Sequence, residues 1–240
     1  LAAWFGMNDL ASAKASFKDQ AVIFSRKHNW IMCILYLGTF GSFIGFAAGF
    51  PLLIKSQFAG IDPVKYAFLG PLVGALARPF GGWISDKIKS GALITQFVFI
   101  GMIVAVCGVI FFLPNNGEGG NFWGFFACFL ALFTLTGIGN GSTFMQVPVI
   151  FLNMHQKFAE EGKVSEEQAR LDATKEGAAV IGFTAAFAAY GGFFIPKSYG
   201  TSIDLTGGVN AALIGFIIFY AICAALNWWY YTRKGAEAKC

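Results

Sequence analysis

Charge is scarce in this sequence. Asp, Glu, Lys and Arg make up 12% of its 240 residues, about half of the roughly 25% found in an average soluble domain. The charged residues are separated by long blocks without charge, and 56% of all residues are hydrophobic. This composition excludes an ordinary soluble domain and is typical of a polytopic membrane protein. The net charge of +4 is spread over the ends of the apolar blocks, which indicates no nucleic-acid partner.

Patterns that carry catalysis or bind metals are also missing. His28 and His155 both lie outside the apolar blocks, and the chain has no HExxH, no GxSxG and no pair of acids at membrane depth. These absences weigh against an intramembrane protease or hydrolase. The five cysteines stand singly, without CxxC spacing, which favours small buried residues over a metal or redox site. We therefore expect a protein that is not an enzyme and that needs no cofactor and no metal.

Six apolar stretches are long enough to cross a membrane as helices. They are Trp30–Ile54, Tyr66–Ser85, Ala92–Leu113, Phe122–Leu152, Gly177–Pro196 and Val209–Tyr231. None alternates with the period of a barrel strand, so helices are expected. The sequence predicts an all-α membrane protein with a six-helix transmembrane bundle over residues 30–231. Residues 1–29 would be a cytoplasmic linker, and residues 232–240 a disordered cytoplasmic tail. Because the first residue is Leu1, we expect a piece of a longer protein.

The basic residues predict how the bundle is oriented. Thirteen Lys and Arg fall in the segments on one side of the six spans and three in the segments on the other side, while Arg78 lies within a span. By the positive-inside rule, both termini would be cytoplasmic. On that side, Asn153–Glu176 carries mixed charge, and we expect a cytoplasmic loop that holds a short surface helix.

Arg78 is a charged residue inside a predicted membrane span. At 1.5 Å per residue it would lie roughly 18 Å into the second span, close to the midplane of the bilayer. A charge at that depth costs at least about 2.5–3.5 kcal/mol, and no other span places an acid there to neutralise it. A structural arginine that binds helix carbonyls or snorkels to an interface is the alternative. We favour contact with a substrate.

Two features of the first span accompany Arg78. Gly41, Gly45 and Gly49 recur every four residues and form a smooth stripe that suits close helix packing. Tyr36 and Phe40 are one turn apart and share a face. They could simply belong to the core, or the tyrosine hydroxyl could donate to an anion bound beside the arginine.

Small residues occupy the fourth and fifth spans. The fourth contains a Gly-Ile-Gly-Asn-Gly-Ser run in which Asn140 and Ser142 are candidates to line a partly hydrated cavity. No strand–helix unit surrounds this run, so a dinucleotide site is not indicated. In the fifth span, Gly191 and Gly192 would let a small ligand approach the main chain, although tight packing explains them equally well.

At this point the motifs resemble a known family. Gly82, Asp86 and Lys87 are similar to the loop signature of the major facilitator superfamily, and Gly182–Pro196 resembles the second nitrate signature of nitrate/nitrite porters of the NarK type. The first span and the Arg78 helix are also similar to the seventh and eighth helices of that family. The resemblance covers nearly the whole chain and implies the C-terminal six helices of a twelve-helix carrier in the bacterial inner membrane.

The resemblance also implies a function. Arg78 would bind nitrate, Tyr36 and Phe40 would supply a hydrogen bond and an aromatic wall, and Gly191 and Gly192 would lie beside the substrate. The partners would be nitrate, nitrite, the lipid bilayer and the N-terminal six-helix half of the same carrier. A guanidinium offers paired donors to a planar anion, and the expected activity is nitrate/nitrite exchange by alternating access. Proton-coupled nitrate symport is the alternative within this class, and a non-transporting membrane subunit or an anion channel is the alternative outside it.

Overall fold

The computed structural model describes residues 20–114 and 119–240, and these residues are mostly helical. The first nineteen residues of the predicted linker and the loop around Glu118 lie outside the described residues. The α-helices are α1 (Lys27–Tyr36), α2 (Ser42–Gln57), α3 (Leu69–Ile88), α4 (Gly91–Phe112), α5 (Phe122–Glu160), α6 (Glu166–Ala189), α7 (Gly191–Thr206) and α8 (Asn210–Asn227). Leu37–Gly41 and Trp228–Thr232 are π-helical turns, and Ala21–Ser25 and Pro63–Lys65 are 3₁₀ turns.

Among the described residues, five helical segments are long and apolar enough to cross a membrane. They are Lys27–Gln57, Gly91–Phe112, Phe122–Glu160, Glu166–Thr206 and Asn210–Thr232. Five of the six predicted spans are thereby confirmed in length and composition. Helix α3 forms where the remaining span was predicted and has 20 residues, but it is not among the five. That α3 crosses the membrane stays a prediction.

The ends of α3 differ from the predicted span by three residues. The Asp62 side chain accepts a hydrogen bond from the Val64 N–H (3.0 Å) and holds a 3₁₀ turn, so α3 begins at Leu69 and not at Tyr66. The helix runs to Ile88 and stops where Lys89 takes a left-handed conformation, with φ of 57°. The connection to α4 is correspondingly tight.

The predicted loop over Asn153–Glu176 is wrong. Helix α5 continues to Glu160 and α6 begins at Glu166, so only residues 161–165 connect them. The Ser165 hydroxyl caps α6 by accepting from the Gln168 N–H, and the two glutamates of the first turn complement the helix dipole. Hydropathy marks where a helix leaves the lipid, which is a different point from where the helix ends.

The predicted disorder of residues 232–240 is also wrong. This tail folds back over the bundle, where its backbone carbonyls accept from Ser90 (at Cys240, 2.7 Å) and from Lys157 (at Glu237, 2.9 Å). The Lys27 ammonium pairs with the Glu237 carboxylate at 2.5 Å, and this hydrogen bond lowers the pKa of Glu237 although partial burial raises it. All of these partners are distant in sequence.

Helix α5 is the centre of the bundle. It packs against α3, α4 and α6, while α2 packs against α7 and α4 against α8. Between α2 and α5 lies a buried phenylalanine cluster in which Phe50 stacks on Phe129, with ring centroids 4.3 Å apart, and Phe46 meets the same ring edge-on. Burial of each ring stabilises the contact between the two helices by dispersion and shape.

Candidate functional site

Arg78 lies on α3 with its side chain exposed on the surface of the described bundle. Its guanidinium carbon is 5.6 Å from the centre of the Phe40 ring. Within residues 20–114 and 119–240, no salt bridge involves Arg78. The charge is therefore available to an anion that approaches this surface.

Glycines determine how closely α3 lies against α5. A β-carbon on Gly137 would meet the Gly74 carbonyl, one on Gly81 would meet the Ile138 carbonyl, and one on Gly141 would meet the carbonyl of Arg78 itself. The two helices thus touch backbone to backbone on both sides of Arg78. The glycine run of the fourth predicted span is explained by this contact, which holds the arginine at a fixed height along α5.

A π-helical turn brings the two aromatic residues together. Tyr36 ends α1, and the turn over Leu37–Gly41 leads into α2. The Tyr36 and Phe40 rings stack with centroids 5.2 Å apart and an interplanar angle of 29°. Tyr36 is buried and Phe40 is half-buried, so Phe40 forms the surface on which the guanidinium lies. Single π turns of this kind often occur at functional sites.

Asn140 and Ser142 lie on different sides of α5. The Tyr36 hydroxyl donates to Asn140 Oδ1 at 3.0 Å, which places Asn140 directly behind the aromatic pair. Ser142 instead shares a hydrogen bond of 2.8 Å with Thr95 on α4. Both side chains are buried. That they line a cavity in the complete protein stays a prediction.

The glycines of the fifth predicted span lie at a helix junction. Gly191 follows Tyr190, the single residue between α6 and α7, and a β-carbon on it would meet the backbone of Gly41. Across the same contact a β-carbon on Gly45 would lie 2.5 Å from the Gly191 carbonyl, as the glycine stripe of the first span predicts. A β-carbon on Gly192 would lie 2.9 Å from Ile44. The structure gives both glycines a packing role, and their place beside a substrate stays a prediction.

The residues of the loop signature close the end of α3. Gly82, Asp86 and Lys87 all lie within the helix. The Asp86 carbonyl accepts from the Lys89 N–H at 3.2 Å, and the Lys87 ammonium lies 5.1 Å from the centre of the Trp83 ring.

An ion-pair cluster near the linker is not predicted by any pattern in the sequence. Arg26 donates two hydrogen bonds to the Glu176 carboxylate, at 2.9 and 2.8 Å, and His155 Nε2 lies 3.3 Å from the same carboxylate. The hydrogen bond to Glu176 raises the pKa of Arg26, against the opposing effect of burial. The three residues come from the linker, α5 and α6, so no local pattern could have revealed them. Their arrangement ties three segments together.

The chain is similar to several curated proteins over nearly its whole length. It is 45% identical over 239 residues to the "Nitrate/nitrite transporter NarU" of Escherichia coli (strain K12), covering 100% of this chain and 51% of that protein. It is 41% identical over 245 residues to the "Probable nitrate/nitrite antiporter NarK2" of Thermus thermophilus, covering 100% of this chain and 50% of that protein. The chain is homologous to half of a nitrate/nitrite transporter. A "Nitrite extrusion protein" of Bacillus subtilis (strain 168) matches at 27% identity over 239 residues, which is 96% of this chain and 52% of that protein.

These relatives confirm the resemblance predicted from the motifs. The chain spans about half the length of the curated relatives it matches, and no protein-family model matches it. The relatives are named as transporters and not as enzymes. Together with the five long apolar helices, they identify a multi-pass membrane protein.

Proposed function

We propose that this chain is the C-terminal half of a carrier that exchanges nitrate and nitrite across the bacterial inner membrane by alternating access. The observation that carries the proposal is the exposed Arg78 guanidinium, which has no carboxylate partner among the described residues and lies over the stacked Tyr36–Phe40 pair. The choice of nitrate and nitrite as the anions follows from the names of the relatives. The complete carrier would have twelve helices, six in each half, with α3 as one of the six in this half.

The chemistry of the site suits a small planar monoanion. A guanidinium can donate to two oxygens of nitrate or nitrite at once, which an ammonium cannot do in the same geometry. The aromatic pair shields one side of the guanidinium from water, which strengthens its attraction for an anion. Arg78 would bind the anion, with Tyr36 and Phe40 as the wall of the site and Gly191 and Gly192 nearby.

The pairing of the buried carboxylate with an arginine favours exchange over proton symport. Glu176 is the buried carboxylate among residues 20–114 and 119–240, and Arg26 donates hydrogen bonds to both of its oxygens. A symporter needs a group that takes up a proton during the cycle, whereas an exchanger needs only the anions themselves. Without an anion, the arginine charge would oppose closure of the cavity, and this couples each closure to a bound substrate.

The test uses the full-length carrier that contains this half. Arg78→Lys and Arg78→Ala proteins are purified, and nitrate binding, nitrate/nitrite exchange in proteoliposomes and thermal stability without ligand are measured. Loss of the paired hydrogen bonds should cost about 1.5–3 kcal/mol, or a roughly ten- to hundred-fold loss of affinity, in Arg78→Lys. Stability should be unchanged, because the side chain is exposed. If the lysine protein binds nitrate as the parent does, Arg78 does not recognise the shape of the anion.

The orientation of the chain can be tested in the same protein. We propose that residues 161–165, Glu166 and the tail face the cytoplasm. After replacement of the native cysteines, a cysteine at position 118 should react with a membrane-impermeant reagent added from the periplasmic side, and a cysteine at position 166 should not. The reverse labelling would overturn the proposed orientation.

A further inference from the structure

A buried hydrogen bond stands directly behind the surface that carries Arg78. Tyr36 is 4% exposed and Asn140 is 1% exposed, and the tyrosine hydroxyl donates to Asn140 Oδ1 at 3.0 Å. The Tyr36 ring stacks on Phe40 at 5.2 Å, and Phe40 lies 5.6 Å below the guanidinium of Arg78. Asn140 is thus the innermost member of a chain of contacts that ends at the exposed charge.

This hydrogen bond is not required to fill the core. Replacing both members of a buried hydrogen bond by apolar groups of similar shape is often nearly neutral for stability, and asparagine is a poor residue for a helix interior. The bond fixes the position of the phenol relative to Asn140 on α5. Gly141, the next residue, packs against the backbone of Arg78. The two ends of the site are therefore positioned by adjacent residues of the same helix.

A second hydrogen bond between this part of the chain and α5 offers a comparison. Thr39, in the π turn, and Thr143, on α5, share a hydrogen bond of 3.0 Å and are both buried. This bond joins the turn to α5, one helical turn from the first bond, but it involves neither Tyr36 nor Phe40. If cross-linking the turn to α5 were all that mattered, the two bonds would be equivalent.

We propose that Asn140 is a positioning residue of the anion site, which acts by holding the Tyr36 ring and hydroxyl in place beneath Phe40 and Arg78. The inference rests on the proposed function and deepens it. Without Asn140, the phenol loses its buried hydrogen-bond partner and can rotate, so that Phe40 no longer presents a fixed face to the guanidinium. The anion would still meet the charge but in a less ordered site.

The experiment is a double-mutant cycle in the full-length carrier, with sodium nitrate as the titrant in calorimetry. Asn140→Ala and Tyr36→Phe should each weaken nitrate binding by roughly two- to ten-fold, the equivalent of one neutral hydrogen bond. Because Asn140 acts through the Tyr36 hydroxyl, the double variant should bind no more weakly than the weaker single variant. Thr143→Val, the matched control, should stay within about two-fold of the parent. Melting temperatures without ligand are measured for the parent and all four variants.

The outcomes separate the possibilities. Parent-like binding by Asn140→Ala, additive losses in the double variant, or an equal loss in Thr143→Val would each overturn the positioning role. If Asn140→Ala does not accumulate, Asn140→Ser replaces it, since the shorter hydroxyl side chain cannot span the distance to Tyr36; the same pattern is expected. Suppose that the parent binds nitrate, the Arg78→Lys protein does not, and the Asn140 variants bind like the parent. This result would overturn the positioning role of Asn140 and leave the proposed function standing. A parent that binds no nitrate would overturn the proposed function as well.

Discussion

The contact between Gly141 and the backbone of Arg78 predicts an unusual result for a glycine-to-alanine substitution. In a helix interior, alanine is favoured over glycine by about 1 kcal/mol. A β-carbon on Gly141, however, would meet the Arg78 carbonyl and would lie 2.8 Å from the Gly82 nitrogen and 3.2 Å from the Gly81 carbonyl carbon. All three are backbone atoms that no rotamer change can move aside. We therefore expect Gly141→Ala to destabilise the protein.

A matched substitution isolates the cost. Gly215 lies in the interior of α8, is exposed, and has nothing within 4 Å of the place where its β-carbon would lie. Gly215→Ala gains the same helix propensity without the collision. Overpacking of a dense contact costs about 1–3 kcal/mol. The free energies of unfolding of the two variants should therefore differ by about this amount, with Gly141→Ala the less stable.

Two measurements follow. The melting temperature of the purified full-length carrier without ligand should be lower for Gly141→Ala than for Gly215→Ala under identical conditions. Nitrate affinity should also fall in Gly141→Ala alone, because the inserted methyl group displaces the helix that carries Arg78. A Gly141→Ala protein that melts at or above the temperature of Gly215→Ala would refute the backbone contact between α3 and α5.

Three further predictions concern other contacts. Gly45→Leu should abolish folding or transport, because its side chain would collide with Gly191 and the rest of that helix junction. Gly215→Leu, the control, should be tolerated. Equal expression and uptake by both variants would show that the glycine stripe faces lipid. Glu176→Gln should lower stability by about 1.5–3 kcal/mol, since it removes the charged hydrogen bonds to the linker arginine, and a parent-like melting temperature would contradict this. The lowered pKa of Glu237 means that its pairing with Lys27 contributes above the ordinary glutamate pKa and is lost as the pH falls through the lowered value. A fluorophore in the tail should therefore gain mobility in acid, and Lys27→Met should show that mobility already at neutral pH; a probe that stays immobile in both would argue against the contact.

Much of the bundle could be predicted because apolar length and small-residue spacing are local properties. Five spans were recognisable from hydropathy alone, and the four-residue glycine spacing of the first span predicts the face that meets Gly191. Arg78 stood out because a charge in an apolar block is costly wherever the chain folds. Its exposed position over Phe40 could not be predicted, since it depends on a π turn that hydrophobic periodicity does not reveal.

The errors arose where stabilising contacts are distant in sequence. The polar composition of Asn153–Glu176 predicts a loop, yet residues of this kind form helices readily once a cap such as Ser165 is present. The tail is polar too, and its order comes from carbonyls that accept hydrogen bonds from α4 and α5. For the same reason the bond between Tyr36 and Asn140, 104 residues apart, could not be found from the sequence.

The backbone contact between α3 and α5 bears on how such a carrier would move. Helices that touch through side chains can slide or rotate, because rotamers adjust as the surfaces shift. At Gly74, Gly81, Gly137 and Gly141 the two backbones touch directly, so no rotamer change at these four positions can accommodate sliding. We expect α3 and α5 to travel as one rigid body, so that Arg78 and Asn140 keep their separation throughout the cycle. Bending would then occur at segments such as Tyr190, where the helix is already interrupted. The site that binds the anion would keep the same shape in the inward-facing and outward-facing states.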